Sequence, residues 1–176
     1  MPRVEESRVI RDRRDFASLC NFHELWEAVE VGTDRGEFAL HFMRSWRGNT
    51  LYCVDPYESY PGMKWDRTPD MLFAVNRLTE FGERVRFVRK KSVESAKLIP
   101  KVNFVYIDGA HDFESVHEDI AAWWQRLEPG GILAGHDYHA EAKDVVRAVK
   151  AFAEENERTI YLTSEGNSPA SWYCFK

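Results

Sequence analysis

The 176-residue chain predicts an α/β fold, a single doubly wound domain around a mostly parallel sheet. Three observations carry that expectation. First, two short apolar runs, Phe104–Ile107 and Ile132–Ala134, stop abruptly in polar residues: Asp108-Gly109-Ala110-His111 after one and His136-Asp137 after the other. Continuous β-branched and aromatic runs bounded by turn residues suit strands buried on both faces. Second, Phe113, Val116, Ile120, Trp123, Trp124 and Leu127 recur between them at helical spacing, with Pro129-Gly130-Gly131 as the helix stop. Strand, helix and strand make a right-handed crossover with two parallel neighbours. Third, the strand pattern Leu25–Val31 runs into Gly32-Thr33-Asp34-Arg35-Gly36, and Phe38, Ala39, Phe42, Met43 and Trp46 follow at helical spacing.

In chain order, residues 1–22 are charged with intermittent apolar positions. They read as a leading helix or an arm, with the domain proper at 23–176. Leu25–Val31 is the first strand. Gly48-Asn49 turns the chain into the second, Thr50–Val54, ended by Asp55-Pro56. Tyr57–Asp66 is a loop rich in aromatics. Thr68 and Pro69 suit an N-cap and a first helical residue. Met71, Leu72, Val75, Leu78 and Phe81 carry that helix, and Gly82 closes it. Val85–Val88 is the third strand, with Ser92 just past its end. Val145, Val146, Val149 and Phe152 mark a late helix. Thr159–Leu162 and Trp172–Phe175 are the last strands, and Glu165–Pro169 between them reads as a hairpin turn.

A net charge of −5 gives no electrostatic case for nucleic acid. The basic clusters Arg8–Arg14 and Arg84–Lys91 suit a solvated face better than a phosphate-bearing partner. Cys20, Cys53 and Cys174 are scattered and form no CxxC pair, which fits a reducing, cytoplasmic setting and offers no structural zinc. The first residues lack the apolar core of a signal peptide, and no apolar run approaches membrane-spanning length. A small-molecule partner is therefore expected, with no nucleic acid and no membrane.

Open α/β sheets bind ligands outside the carboxyl ends of their strands. Parallel pairing brings Asp108, His111, His136 and Asp137 to that edge. The glycine turn aims backbone N–H groups and a helix N-terminus at a ligand. Asp55, ending the next strand, is placed to accept hydrogen bonds from a ribose diol. Asp108 and Asp137, at adjacent strand ends, repel one another unless a cation or a proton neutralises them.

In order and spacing, these residues resemble the class I S-adenosylmethionine-dependent methyltransferases over the chain from about Glu24 to Lys176. The matching pieces are Glu30-Val31-Gly32 at the glycine loop, Asp55, Asp108, Pro129-Gly130-Gly131 and the closing hairpin. The resemblance implies a Rossmann-like methyltransferase domain with a seven-stranded sheet in the order 3-2-1-4-5-7-6, the last strand antiparallel. It implies that Glu30, Gly32, Thr33, Asp34, Gly36, Asp55, Ser92 and Asp108 bind S-adenosylmethionine. Glu30 would hold the methionine amino group, Asp55 the ribose hydroxyls and Ser92 the adenine side.

The loop Glu30-Val31-Gly32-Thr33-Asp34-Arg35-Gly36 has no further internal glycine and looks like the branch of O-methyltransferases of sugars and macrolides. In that branch and in catechol-type enzymes a divalent cation sits at the carboxyl edge. The metal positions correspond to Asp108, His136 and Asp137. The general base, three residues after the first metal-binding Asp, corresponds to His111. His136 stands where an acid is more usual, and imidazole suits manganese and other softer ions better than magnesium. The implied reaction is in-line transfer of a methyl group from a sulfonium to a hydroxyl of a sugar or catechol-like diol. With no inserted substrate domain, either loops hold the acceptor or a second subunit of a homo-oligomer completes the site.

Plainer readings stand beside these. Gly32 and Gly36 also allow tight helix–strand packing. Ser92 serves equally as a helix cap, Asp108 and Asp137 as loop acids, His111 as the start of a helix and His136 as a substrate contact. His139 reads as a bystander. Tyr57, Tyr60 and Trp65 read as an overhang that stacks on adenine, covers the acceptor or packs a partner. The rival functions are an NAD-dependent oxidoreductase, a metal-independent N- or O-methyltransferase and a non-catalytic binding protein on the same fold. The missing G-x-G-x-x-G pattern argues against the first.

Overall fold

Helices and strands alternate along the chain, and the sheet they build is one strand wider than the sequence predicts. The computed structural model describes residues 2–7, 10–59, 66–164 and 170–176. Its strands are β1 (Val4–Glu6), β2 (Glu27–Val31), β3 (Thr50–Val54), β4 (Val85–Val88), β5 (Val102–Ile107), β6 (Leu127–Gly135), β7 (Ile160–Leu162) and β8 (Trp172–Phe175). They form one sheet in the order β1-β7-β8-β6-β5-β2-β3-β4. The helices are α1 (Phe16–Phe22), α2 (Glu37–Ser45), α3 (Thr68–Leu78), α4 (Ser92–Leu98), α5 (Phe113–Arg126) and α6 (Lys143–Glu155). Strand β8 runs antiparallel to both β6 and β7, and every other pairing is parallel. Apart from β1, this is the expected 3-2-1-4-5-7-6 order. No described helix is long and apolar enough to cross a membrane.

Alternate strand residues face alternate layers. Val29 and Val31 of β2 pack with Ala96, Ile120, Trp123 and Val149 from α4, α5 and α6. Ala28, with Leu51 and Phe104, packs with Phe16, Phe42 and Trp46 from α1, α2 and the end of α2. Both faces are covered, which is why the central strands are continuous apolar runs. Each large side chain buried this way contributes about 1.5–3 kcal/mol. Glu30 occupies a β2 position where this pattern calls for a hydrophobe, and it is buried all the same.

Several boundaries differ from expectation, each for a local reason. The sequence of β1, Val4-Glu5-Glu6, has no apolar run, because this edge strand pairs only with β7, Val4 opposite Ile160. Helix α5 ends at Arg126, so Pro129-Gly130-Gly131 lies inside β6 and is not the helix stop. A Cβ on Gly131 would stand 2.6 Å from the Asn103 carbonyl oxygen, so the glycine is needed for close strand approach. Thr68 is the first helical residue of α3 and Arg67 holds the cap position; the Asp66 carboxylate accepts from the Thr68 N–H at 2.9 Å. The first strand begins at Glu27, not Leu25. Strands β7 and β8 pair as expected, Tyr161 opposite Tyr173, while the predicted Glu165–Pro169 turn lies outside the described residues, as do Tyr60 and Trp65.

Candidate functional site

The carboxyl ends of β2, β3 and β5 are stitched together by backbone. Gly32 N–H donates to Val54 O at 2.8 Å, and Asp108 N–H donates to Val31 O at 2.8 Å. Gly32 has φ +84°, and a Cβ there would stand 2.1 Å from the Asp108 carbonyl oxygen. Only glycine allows this approach. The turn continues through Asp34 at φ 46° to Gly36 at φ 72°, the residue before α2.

Above these strand ends lies a cleft with two lobes. The larger, about 870 Å³, is lined by Arg13, Glu30, Thr33, Asp34, Phe38 and Asp108. The smaller, about 540 Å³, is lined by Pro56, Lys91, Ser92, Val93 and Asp119. Gly32, Asp55 and Gly109 line both.

Glu30 is 2% exposed, and its Oε2 has no hydrogen-bond partner among the described residues. Burial pushes its carboxyl up to about 8. A buried acid with one oxygen unpartnered, in the wall of a cleft, is a place for a cationic donor. Asp55 ties two loops together: its Oδ2 accepts from Asp34 N–H at 2.9 Å and its Oδ1 from Tyr57 N–H at 2.8 Å. Each carboxylate oxygen can accept a second bond, and both lobes reach this residue. These features, with the glycine cradle, fit S-adenosylmethionine. Tyr57 is 3% exposed and its hydroxyl donates to Asp34 O at 2.9 Å, so it braces the loop and does not overhang the cleft. Ser92 opens α4, lines the smaller lobe and accepts from the Trp123 indole N–H at 2.9 Å.

At the neighbouring edge, Asp108 follows β5, and His136 and Asp137 follow β6. His111 Nε2 lies 2.5 Å from Asp137 Oδ2, and His136 Nδ1 lies 3.2 Å from Asp137 Oδ1 and 3.7 Å from Asp108 Oδ1. Ligand atoms of Asp108, His111 and Asp137 all lie within 4.8 Å of one another. Two carboxylates and an imidazole so gathered fit a divalent cation. His136, expected as the nitrogen ligand, stands beside this trio, and His111 is the imidazole within it. The hydrogen bond to Asp137 raises the His111 pKa, and the same bond holds the Asp137 carboxyl far below the usual range. Burial raises the pKa of Asp108, and the Asp137 charge adds to the effect.

Four residues escaped the sequence reading. Arg13, on the short turn before α1, reaches Asp108 Oδ2 at 3.6 Å. His139 is no bystander: its Nε2 lies 3.6 Å from Asp137 Oδ1. Arg67, with a side chain 8% exposed, contacts Asp34 at 2.6 Å, Asp70 at 3.3 Å and Asp55 at 3.6 Å. Asp119 is a buried acid in the smaller lobe. Only Asp119 had a legible local signal: it shares a helix face with Val116 and Trp123, three and four residues away.

Solved structures with this fold include an O-methyltransferase from Bacillus cereus in complex with SAH, at TM-score 0.71 and 13% identity, covering 93% of this chain and 80% of that one. A putative caffeoyl-CoA O-methyltransferase from Staphylococcus aureus matches at TM-score 0.71 and 13% identity, over 93% and 82%. An rRNA methylase from Streptococcus thermophilus matches at TM-score 0.67 and 16% identity, over 93% of each chain. At such identities these likenesses speak for the fold alone. Family membership comes from the sequence: residues 29–138, more than half of the chain, match a family model described as a methyltransferase domain. That span runs from β2 through Tyr138 and contains the glycine turn, Asp55 and the acids of the carboxyl edge, so the chain belongs to the methyltransferase-domain family and is a class I S-adenosylmethionine-dependent methyltransferase.

Proposed function

We propose that this methyltransferase methylates a hydroxyl oxygen of a small molecule, a sugar or catechol-like diol, with a divalent cation held at Asp108 and Asp137. The observation that carries this reading is the convergence of Asp108, His111 and Asp137 beside the cofactor cleft. Neighbours described as O-methyltransferases support it. Family membership removes the nicotinamide-dependent alternative.

The residues divide the work. Glu30 receives the methionine amino group, and Asp55 receives the ribose hydroxyls while keeping the Asp34 and Tyr57 loops in place. S-adenosylmethionine supplies an electrophilic methyl group. Asp108 and Asp137, with His136 as a further donor, would hold a cation, which would supply positive charge to lower the pKa of a nearby hydroxyl. With its Nε2–H donated to Asp137, His111 keeps Nδ1 as the acceptor for the hydroxyl proton. The Asp137 carboxylate then stabilises the imidazolium that forms. The strand ends hold acceptor and donor groups in line, so that alignment contributes to rate as well.

The test is methyl transfer to diol acceptors assayed in EDTA, then with magnesium, manganese or zinc restored. Activity is expected to vanish in EDTA and to return with one of these ions. Full activity in EDTA, together with a silent Asp137→Asn, would remove the cation from the reading and leave metal-independent transfer.

An RNA acceptor is favoured by the match over 93% of both chains to the rRNA methylase. The net charge of −5 and the carboxylates at the edge oppose it. Ribosomal RNA fragments in the same assay decide between the two.

A further inference from the structure

The smaller lobe of the cleft holds an acid that the mechanism above does not use. Asp119, in the second turn of α5, is 6% exposed; of the other acids lining this lobe, Asp55 is buried and committed to the Asp34 and Tyr57 N–H groups, and Glu58, Glu94 and Glu118 are exposed. Its Oδ2 lies 3.8 Å from where a Cβ on Gly109 would stand, and Gly109 lines both lobes. The carboxylate therefore sits by the junction of the lobes, deep in the wall. Behind it, the Trp123 indole N–H donates to Ser92 Oγ at 2.9 Å. That leaves the Ser92 proton for Asp119, a contact that draws the carboxyl down against the burial that raises it to about 6.

A buried carboxylate is costly unless its hydrogen bonds are completed. The order of groups along the cleft says which part of the ligand completes them. Glu30 and Asp108 lie in the larger lobe, Asp55 at the junction, and Ser92, Val93 and Asp119 in the smaller. S-adenosylmethionine laid along this line, amino acid at Glu30 and ribose at Asp55, carries its base into the smaller lobe. The exocyclic 6-amino group is the hydrogen-bond donor of an adenine ring, and a carboxylate is an acceptor only.

We propose that Asp119 is a specificity-determining residue, which accepts a hydrogen bond from the adenine 6-amino group and thereby excludes 6-oxo purines. A 6-oxo base would set a carbonyl oxygen against the carboxylate, acceptor against acceptor. Sites built to pair with a donor reject analogues that lack it far more strongly than apolar pockets reject a changed shape. Ser92 acts behind Asp119 as a positioning residue.

The experiment is calorimetric titration of the full chain with S-adenosylhomocysteine, with S-inosylhomocysteine, which carries a 6-oxo group, and with the analogue bearing hydrogen at position 6. The wild-type protein is expected to bind the adenosyl form at least about tenfold more tightly than either analogue. Asp119→Asn, whose amide can donate to a carbonyl, is expected to lose or invert the preference over the 6-oxo form. A wild-type protein that binds all three equally overturns the proposal, and so does a folded Asp119→Asn that keeps the wild-type ratio. The wild-type comparison needs no variant, so a misfolded Asp119→Asn does not shelter the proposal.

Discussion

His111 Nε2 lies 2.5 Å from Asp137 Oδ2, which joins the loop after β5 to the loop after β6 across the carboxyl edge. Asp137 takes φ 56° to reach this position, and it holds His111 in one orientation. If His111 is the base, His111→Ala should lower turnover by about 10²–10⁴-fold and leave the affinity for S-adenosylhomocysteine unchanged. The same variant separates base from ligand. A base loses turnover that saturating metal cannot restore, whereas a ligand loses metal affinity first. Full turnover in His111→Ala returns the residue to a structural role.

Asp55 accepts backbone N–H groups from Asp34 and Tyr57, both at positive φ. Asp55→Ala should therefore weaken S-adenosylhomocysteine binding by about 1–3 kcal/mol and speed amide exchange at Asp34 and Tyr57. Calorimetry and exchange measurements read the two effects separately. Unchanged affinity would leave Asp55 as a loop anchor only.

Glu30 gives a pH prediction. Its folded carboxyl sits at about 8, above the ordinary 4.5, because it is buried. The folded protein therefore holds a proton that the unfolded chain has released over that interval. The Glu30 contribution to stability is fully present below about 4.5 and is lost as pH rises towards 8. Glu30→Gln should flatten this decline and exceed the wild type by about 1–3 kcal/mol at pH 9. It should also bind S-adenosylmethionine more weakly. Denaturation curves at pH 6 and 9 that shift equally in both proteins would contradict the assignment.

Two glycines form a contrast. A Cβ on Gly32 would meet the Asp108 carbonyl oxygen at 2.1 Å, but one on Gly82 meets nothing within 4 Å, although both residues have positive φ. Gly32→Ala should cost about 2–4 kcal/mol and abolish cofactor binding. Gly82→Ala should cost only the backbone conformation, φ 54° with ψ −132°, about 1–3 kcal/mol. Equal losses in thermal denaturation would mean that the β2–β5 contact can yield.

The central strands were legible because they are buried on both faces, so Val105 and Leu133 sit in runs with no polar interruption. Glu30, Asp55 and Asp108 were legible as acids that interrupt or end such runs. The parts that were not legible depend on contacts between distant segments. Val4-Glu5-Glu6 looks like solvent-facing chain until Ile160–Leu162 lies beside it. Arg13 looks like one of several surface arginines until α1 is packed, and only then does it meet Asp108. His139 is near the carboxyl edge because the chain turns back at Asp137, a conformation that no residue pattern announced.

The pairing of β1 with β7 bears on how the molecule is made. Synthesis runs from the N-terminus, yet β1 has no partner until Ile160–Leu162 has left the ribosome. Strands β2 to β5 need nothing later than Ile107 to pair with one another. The glycine turn and Asp55 can therefore be in place on a nascent chain while the segment leading to Arg13 is still loose. Closing so long a loop is a late event in folding. The half of the cleft that would receive the nucleoside is in this sense older, within the life of each molecule, than the edge where the methyl group would move.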